Sequence, residues 1–132
     1  MMGDEYKTVW QGRTYTSEKE WGTELLVGNL STVKAKVLHM RTGKSTSLKY
    51  YRTKNEVLFV REGSVRVDYN SEKYHTQDED KRSLKSITLI AGEVLYVQSN
   101  CPYRITALED SEIFEIGDSG RPGDATRITD EE

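Results

Sequence analysis

Four side chains in this sequence are of types that move protons or hold small polar molecules, and their spacing is regular. Gly43 is followed by five residues, Lys49, one residue, Tyr51, four residues, Glu56, six residues and Gly63. A second stretch answers it: Gly92, five residues, Gln98, one residue, Asn100, two residues and Tyr103. Side chains alternate along a strand, so Lys49 and Tyr51 point to the same side. Lysine, glutamate and tyrosine act as acids and bases once burial moves their pKa values. Other reactive groups have plainer roles. His39 shares parity with Val33, Ala35 and Val37 and reads as a packed strand residue. His75 lies in a polar stretch and reads as solvated. Cys101 has only Arg104 nearby to activate a thiol.

The elements that must position these groups are short strands. Tyr6, Trp10 and Tyr15 dot a polar arm over residues 1–16, and Ser17-Glu18-Lys19-Glu20 has the spacing of a capping box that would start a short helical turn. Leu25–Val27 reads as a strand. From Ser31 to Met40 the period is two. Ser47–Tyr51 and Val57–Val60 follow, and Gly63 turns the latter into the alternation Val65, Val67, Tyr69, a pairing expected to be a hairpin. Residues 70–86 are almost wholly polar and read as a long exposed loop. Further strands are expected at Ile87–Ile90, Val94–Val97, Tyr103–Leu108 and Ile113–Ile116. Many short strands without a long amphipathic helix predict an all-β sandwich or barrel.

The chain has 132 residues, enough for one domain with a sizeable core. Its apolar fraction of 35% is low and its charged fraction of 31% is high, which predicts a thin core in a solvated shell. Basic and acidic residues are interspersed at a net charge of −3, so no nucleic-acid footprint is present. No apolar run is long enough for a membrane span. A single cysteine and the absence of an apolar signal region point to the cytoplasm. The domain reading is an N-terminal arm over 1–16, a β-barrel core over 17–117 and a loose tail over 118–132.

The two spaced stretches resemble the paired motifs of the cupin superfamily, G-x5-H-x-H-x3-4-E-x6-G and G-x5-P-x-G-x2-H-x3-N. Lys19-Glu20-Trp21-Gly22 and Lys36–Arg52 look like segments of mannose-6-phosphate isomerase-type cupins, and Thr126-Arg127-Ile128 looks like the tail of small sugar-nucleotide cupins. The resemblance implies a double-stranded β-helix, a jelly-roll barrel, with positions 49, 51, 56 and 103 facing one cavity. On that resemblance Lys49, Tyr51, Glu56 and Tyr103 are the catalytic candidates, and the same four with Arg104 are the ligand-binding candidates. In a metal-binding member, 49, 51 and 103 would carry imidazole or amide donors beside a carboxylate at 56. Here they carry Lys49, Tyr51 and Tyr103. A protonated lysine has no lone pair, and neutral tyrosine is a poor ligand near pH 7. One carboxylate does not hold a metal that generally needs three protein donors. The expectation is no metal and no other cofactor, with Lys49 paired to Glu56 where a metal would sit. Asn100 takes the place of a motif glycine and is expected at positive φ.

Three functional readings follow. The pocket binds a small polar, carbohydrate-like ligand without metal; or it remains a metal-independent sugar-phosphate or sugar-nucleotide isomerase or epimerase; or it is plugged and serves structure or a partner. A homodimer is expected, with the aromatic arm covering an exposed edge.

Overall fold

The computed structural model describes residues 6–128. Eleven strands run β1 (Tyr15–Lys19), β2 (Gly22–Asn29), β3 (Lys34–Met40), β4 (Lys49–Tyr51), β5 (Glu56–Glu62), β6 (Ser64–Tyr69), β7 (Lys85–Ile90), β8 (Val94–Val97), β9 (Tyr103–Ala107), β10 (Ser111–Gly117) and β11 (Ala125–Arg127). They form two antiparallel sheets, a six-stranded one ordered β1-β2-β3-β10-β5-β8 and a five-stranded one ordered β11-β4-β9-β6-β7. This is the expected all-β jelly roll. Among the described residues no helix is long and apolar enough to cross a membrane.

The core between the sheets follows the period of two. Leu58 and Val60 on β5, Val65 and Val67 on β6, Ile105 and Ala107 on β9 and Ile113 on β10 all turn inward. Toward one end of the barrel the inward row turns polar. Glu115 follows Ile113 on β10, in register with Lys36 of β3 and Leu58 of β5, and Gly117 faces Glu56. That end holds the site.

Four expectations need correction. β5 and β6 are not a hairpin: β5 pairs with β10 and β8, whereas β6 pairs with β7 and β9. Gly63 is instead a corner between sheets, at φ 86°, where a Cβ would meet Ser111 Oγ at 2.3 Å and Asp110 O at 2.5 Å. Alternation reports which residues face inward, but it carries no information on which strand lies alongside. Second, residues 17–20 do not start a helix. Ser17 pairs with Glu24 and Lys19 with Gly22 in a tight β1–β2 hairpin, so tertiary pairing overrides the local cap signal. Third, the polar loop after β6 contains two short 3₁₀ helices, Glu72–Thr76 and Glu79–Lys81, with Tyr74 buried. Fourth, residues 118–128 are not a loose tail. Asp124 is buried and β11 pairs with β4, with Thr126 opposite Tyr50. Residues 1–5 of the expected arm and 129–132 of the expected tail lie outside the described residues.

Candidate functional site

Lys49 and Tyr51 on β4, Glu56 at the start of β5 and Tyr103 at the start of β9 do converge. Lys49 and Tyr103 are cross-strand partners, and the Lys49 Nζ lies 5.0 Å from the Tyr103 ring centroid and 6.0 Å from that of Tyr51. The fully buried Tyr103 donates its hydroxyl to Glu56 Oε1 at 2.5 Å.

The expected Lys49–Glu56 pair is replaced by another. Lys54, itself buried, puts its Nζ 3.0 Å from Glu56 Oε2, 4.0 Å from Glu115 Oε2 and 4.5 Å from the Tyr51 ring centroid. The Lys54–Glu56 contact is an ion pair more than an aligned hydrogen bond, because Glu56 Oε2 lacks a donor of good geometry. Strand geometry did not suggest Lys54, which sits in the turn between β4 and β5. Its one sequence signal was its place two residues before the motif carboxylate.

Glu115 is the second group that sequence reasoning missed. It is buried on β10, and its carboxyl interacts electrostatically with that of Glu56. Burial and the neighbouring Glu56 charge push its pKa up to about 7, against the pull of Lys49. Burial would raise Glu56 too, but Lys54, Glu115 and the Tyr103 hydroxyl together hold it below its ordinary value. Below about pH 7 the proton of the two-carboxyl pair therefore resides on Glu115. Burial also raises the Tyr51 and Tyr103 phenols, so both stay neutral donors. Desolvation lowers the Lys49 amine, although Glu115 and Glu56 favour its charged form.

A cavity of about 190 Å³ opens onto this cluster. Lys36, Lys49, Tyr51 and Glu115 line it, with Trp21 and Arg127 among its other walls. Lys36 is paired with Glu24 at 3.2 Å. The inward direction of Lys36 follows from its strand parity with Leu38 and Met40.

The remaining candidates lie elsewhere. Arg104 has the opposite parity to Tyr103 and binds Asp68 Oδ2 at 3.0 Å, beside Arg66 and Ser86. His39 is not packed in the core; it is exposed on the outer face, with Nε2 2.7 Å from Glu112. His75 is not simply solvated. It is half-buried, 2.8 Å from the Asn100 carbonyl, with its ring 4.3 Å from that of Tyr50. It docks the long loop onto the barrel. Asn100 has φ 69°, as the missing motif glycine predicts. Burial raises the Cys101 thiol, which makes it a poor nucleophile.

The donors at positions 49, 51, 56 and 103 do not fit a divalent metal. Glu56 already holds an ammonium ion and a phenol, and the other three offer no imidazole or amide. Among the described residues no three His, Cys, Asp or Glu side chains come together in a metal-binding group.

No family model matches the sequence, and no curated protein matches it. Solved structures do. KdgF from Halomonas sp. is 14% identical with a TM-score of 0.62, over 76% of this chain and 81% of that one. Oxalate decarboxylase from Bacillus subtilis is 20% identical with a TM-score of 0.72, over 95% of this chain and 34% of that one. CapF with the inhibitor 3-isopropenyl-tropolone is 14% identical with a TM-score of 0.68, over 89% of this chain and 35% of that one. The chain thus spans about a third of the last two. At these identities the likeness establishes the fold, and the fold is that of the cupins.

Proposed function

Starting from a cupin fold whose metal positions carry Lys49, Tyr51 and Tyr103, we propose that this protein binds a small polar ligand of carbohydrate type in its barrel cavity, without a metal ion. The lining of the cavity carries the reading. Lys36, Lys49, Thr46, Ser47 and Tyr51, with their amine and hydroxyl groups, line a space of about 190 Å³ together with Trp21. Hydroxyl-rich ligands need many donors and acceptors together with an apolar surface, and the volume suits one sugar unit better than a drug-sized molecule. The segment that resembles mannose-6-phosphate isomerase-type cupins supplies Trp21 to this lining and the one that resembles the tail of small sugar-nucleotide cupins supplies Arg127, which supports a sugar or sugar phosphate. A metal-independent isomerase or epimerase is the second reading, favoured by Glu115 as an acid-base group on the cavity wall. A homodimer belongs to the proposal, as does a reducing, cytoplasmic setting for a chain with one cysteine. The exposed Tyr6, Val9 and Trp10 support the dimer.

Elemental analysis of protein purified without chelators is expected to find metal far below one per chain. A stoichiometric transition metal would overturn the metal-free reading. A thermal-shift panel of monosaccharides, sugar phosphates and nucleotide sugars should raise the melting temperature for at least one class; saturation at a hundredfold over Kd corresponds to about 2.7 kcal/mol. No shift across the panel would favour the plugged barrel. Turnover of any stabilising compound distinguishes isomerase from binder.

A further inference from the structure

Lys49 differs in its surroundings from Lys36 and Lys54, the other lysines near the cluster. Each of those has a carboxylate partner, Glu24 at 3.2 Å and Glu56 at 3.0 Å. Among the described residues Lys49 forms no ion pair; its Nζ lies against two phenol rings and borders the cavity. An amine in this position, desolvated and with no carboxylate in direct contact, is the setting that makes a lysine nucleophilic, burial outweighing the charges of Glu115 and Glu56. Glu115 borders the same cavity from the opposite sheet, and its proton is held in the carboxyl pair with Glu56.

We propose that Lys49 is a carbonyl-capturing amine: its Nζ adds to the aldehyde or ketone carbon of a small open-chain sugar in the cavity and forms an imine, with Glu115 as the proton donor. This goes beyond ligand binding and rests on the cavity accepting a sugar-like molecule. The nitrogen lone pair makes the new N–C bond while the carbonyl π pair moves to oxygen. The proton lost by nitrogen is taken up by that oxygen, giving a carbinolamine. Glu115 then protonates the hydroxyl, which leaves as water as the C=N bond forms. The resulting iminium returns its proton to the Glu115 carboxylate. The sum is amine plus carbonyl giving imine plus water, with no oxidant or reductant. Lowering of the Lys49 amine by burial increases the share of it that is unprotonated near neutral pH.

The full chain incubated with D-glyceraldehyde and cyanoborohydride at about pH 6.5, where Glu115 keeps its proton, then digested and mapped by mass, tests this directly. Lys49 is expected to carry the reduced adduct about tenfold faster than the exposed Lys44 and Lys73 of the same molecules. Lys49→Arg should remove the fast phase and leave the slow surface labelling. Glu115→Gln, checked for a cooperative melt, should slow labelling at Lys49 by about a hundredfold, as general acid catalysis predicts. Labelling of Lys49 no faster than Lys44, or a fast phase surviving in Lys49→Arg, would overturn the proposal. The underlying binding reading has its own readout, the melting temperature with methyl glycosides, which have no free carbonyl. Stabilisation by glycosides with slow Lys49 labelling leaves cavity binding standing and removes the imine step. Fast labelling without glycoside stabilisation supports the imine step and counts against glycoside binding.

Discussion

Glu56 is a carboxylate shut inside a barrel, and the cation that compensates it comes from the adjoining turn. Removing one partner of a buried pair leaves the other charge stranded, at a cost of roughly 3–5 kcal/mol. Lys54→Met is therefore expected to destabilise by that amount, and by more than Lys49→Met, in chemical denaturation near pH 7. Equal losses would show that Lys49 shares the compensation. Glu115 makes a separate prediction about pH. Its folded pKa, about 7, stands above the ordinary 4.5, so the folded chain binds more protons between those values. Its contribution to stability is complete below pH 4.5 and lost as pH rises through about 7. Glu115→Gln should thus match wild type in stability at pH 4.5 and exceed it at pH 8, by an amount on the order of 3 kcal/mol at most. Glu56, held below its ordinary value, works in the opposite sense and in a lower window. Its stabilisation is present above pH 4.5 and fades as pH falls through its folded pKa. The four motif positions were legible as one site through their resemblance to the paired cupin motifs, strand parity placing only Lys49 and Tyr51 on one side. Lys54 and Glu115 were not, since a turn lysine and a glutamate on a distant strand meet Glu56 only after the sheets close.

At the level of elements, the C-terminal strand depends on one aspartate. Asp124 Oδ1 accepts from the Thr53 amide at 2.9 Å and from the Thr53 hydroxyl at 2.7 Å, fastening the β4–β5 turn to the segment that leads into β11. That turn carries Lys54. Asp124→Ala removes the buried carboxylate that both Thr53 groups donate to and is expected to cost about 1–3 kcal/mol. Amide exchange should speed up in 125–127 and 49–51 before it does in β6 or β9; uniform acceleration would show that β11 is not separately fastened. Composition had marked this tail as loose, because turn formers and charges are what a chain uses both in disordered tails and in tight caps. The β5–β6 turn was misread for a related reason. Gly63 signals a reversal in either case, and only the close approach of Ser111 and Asp110 shows that the chain is changing sheets.

On the scale of the molecule, the N-terminal segment is the part that the barrel does not use. Tyr6, Val9 and Trp10 are 86%, 91% and 71% exposed, and β1 beside them forms an edge of the larger sheet. Large apolar side chains held in water next to an open edge suit a second copy of the chain. Deleting residues 1–14 is expected to turn a dimer into a monomer in light scattering while leaving the barrel folded. A full-length chain that is monomeric at micromolar concentration would end the dimer proposal. By its resemblance to the cupin motifs the sequence implied that Lys49, Tyr51, Glu56 and Tyr103 converge; by itself it determined the strand-rich architecture, the shared parity of Lys49 and Tyr51 and the φ of Asn100. These follow from the period of a strand and from glycine and asparagine turn geometry, which act over a few residues. Only the tertiary structure decided which strands lie side by side, that Lys54 and not Lys49 neutralises Glu56, and that Glu115 joins it with a proton. Those outcomes depend on groups far apart in the chain meeting in a dry interior, where desolvation and charge pairing, not local spacing, determine protonation and partner.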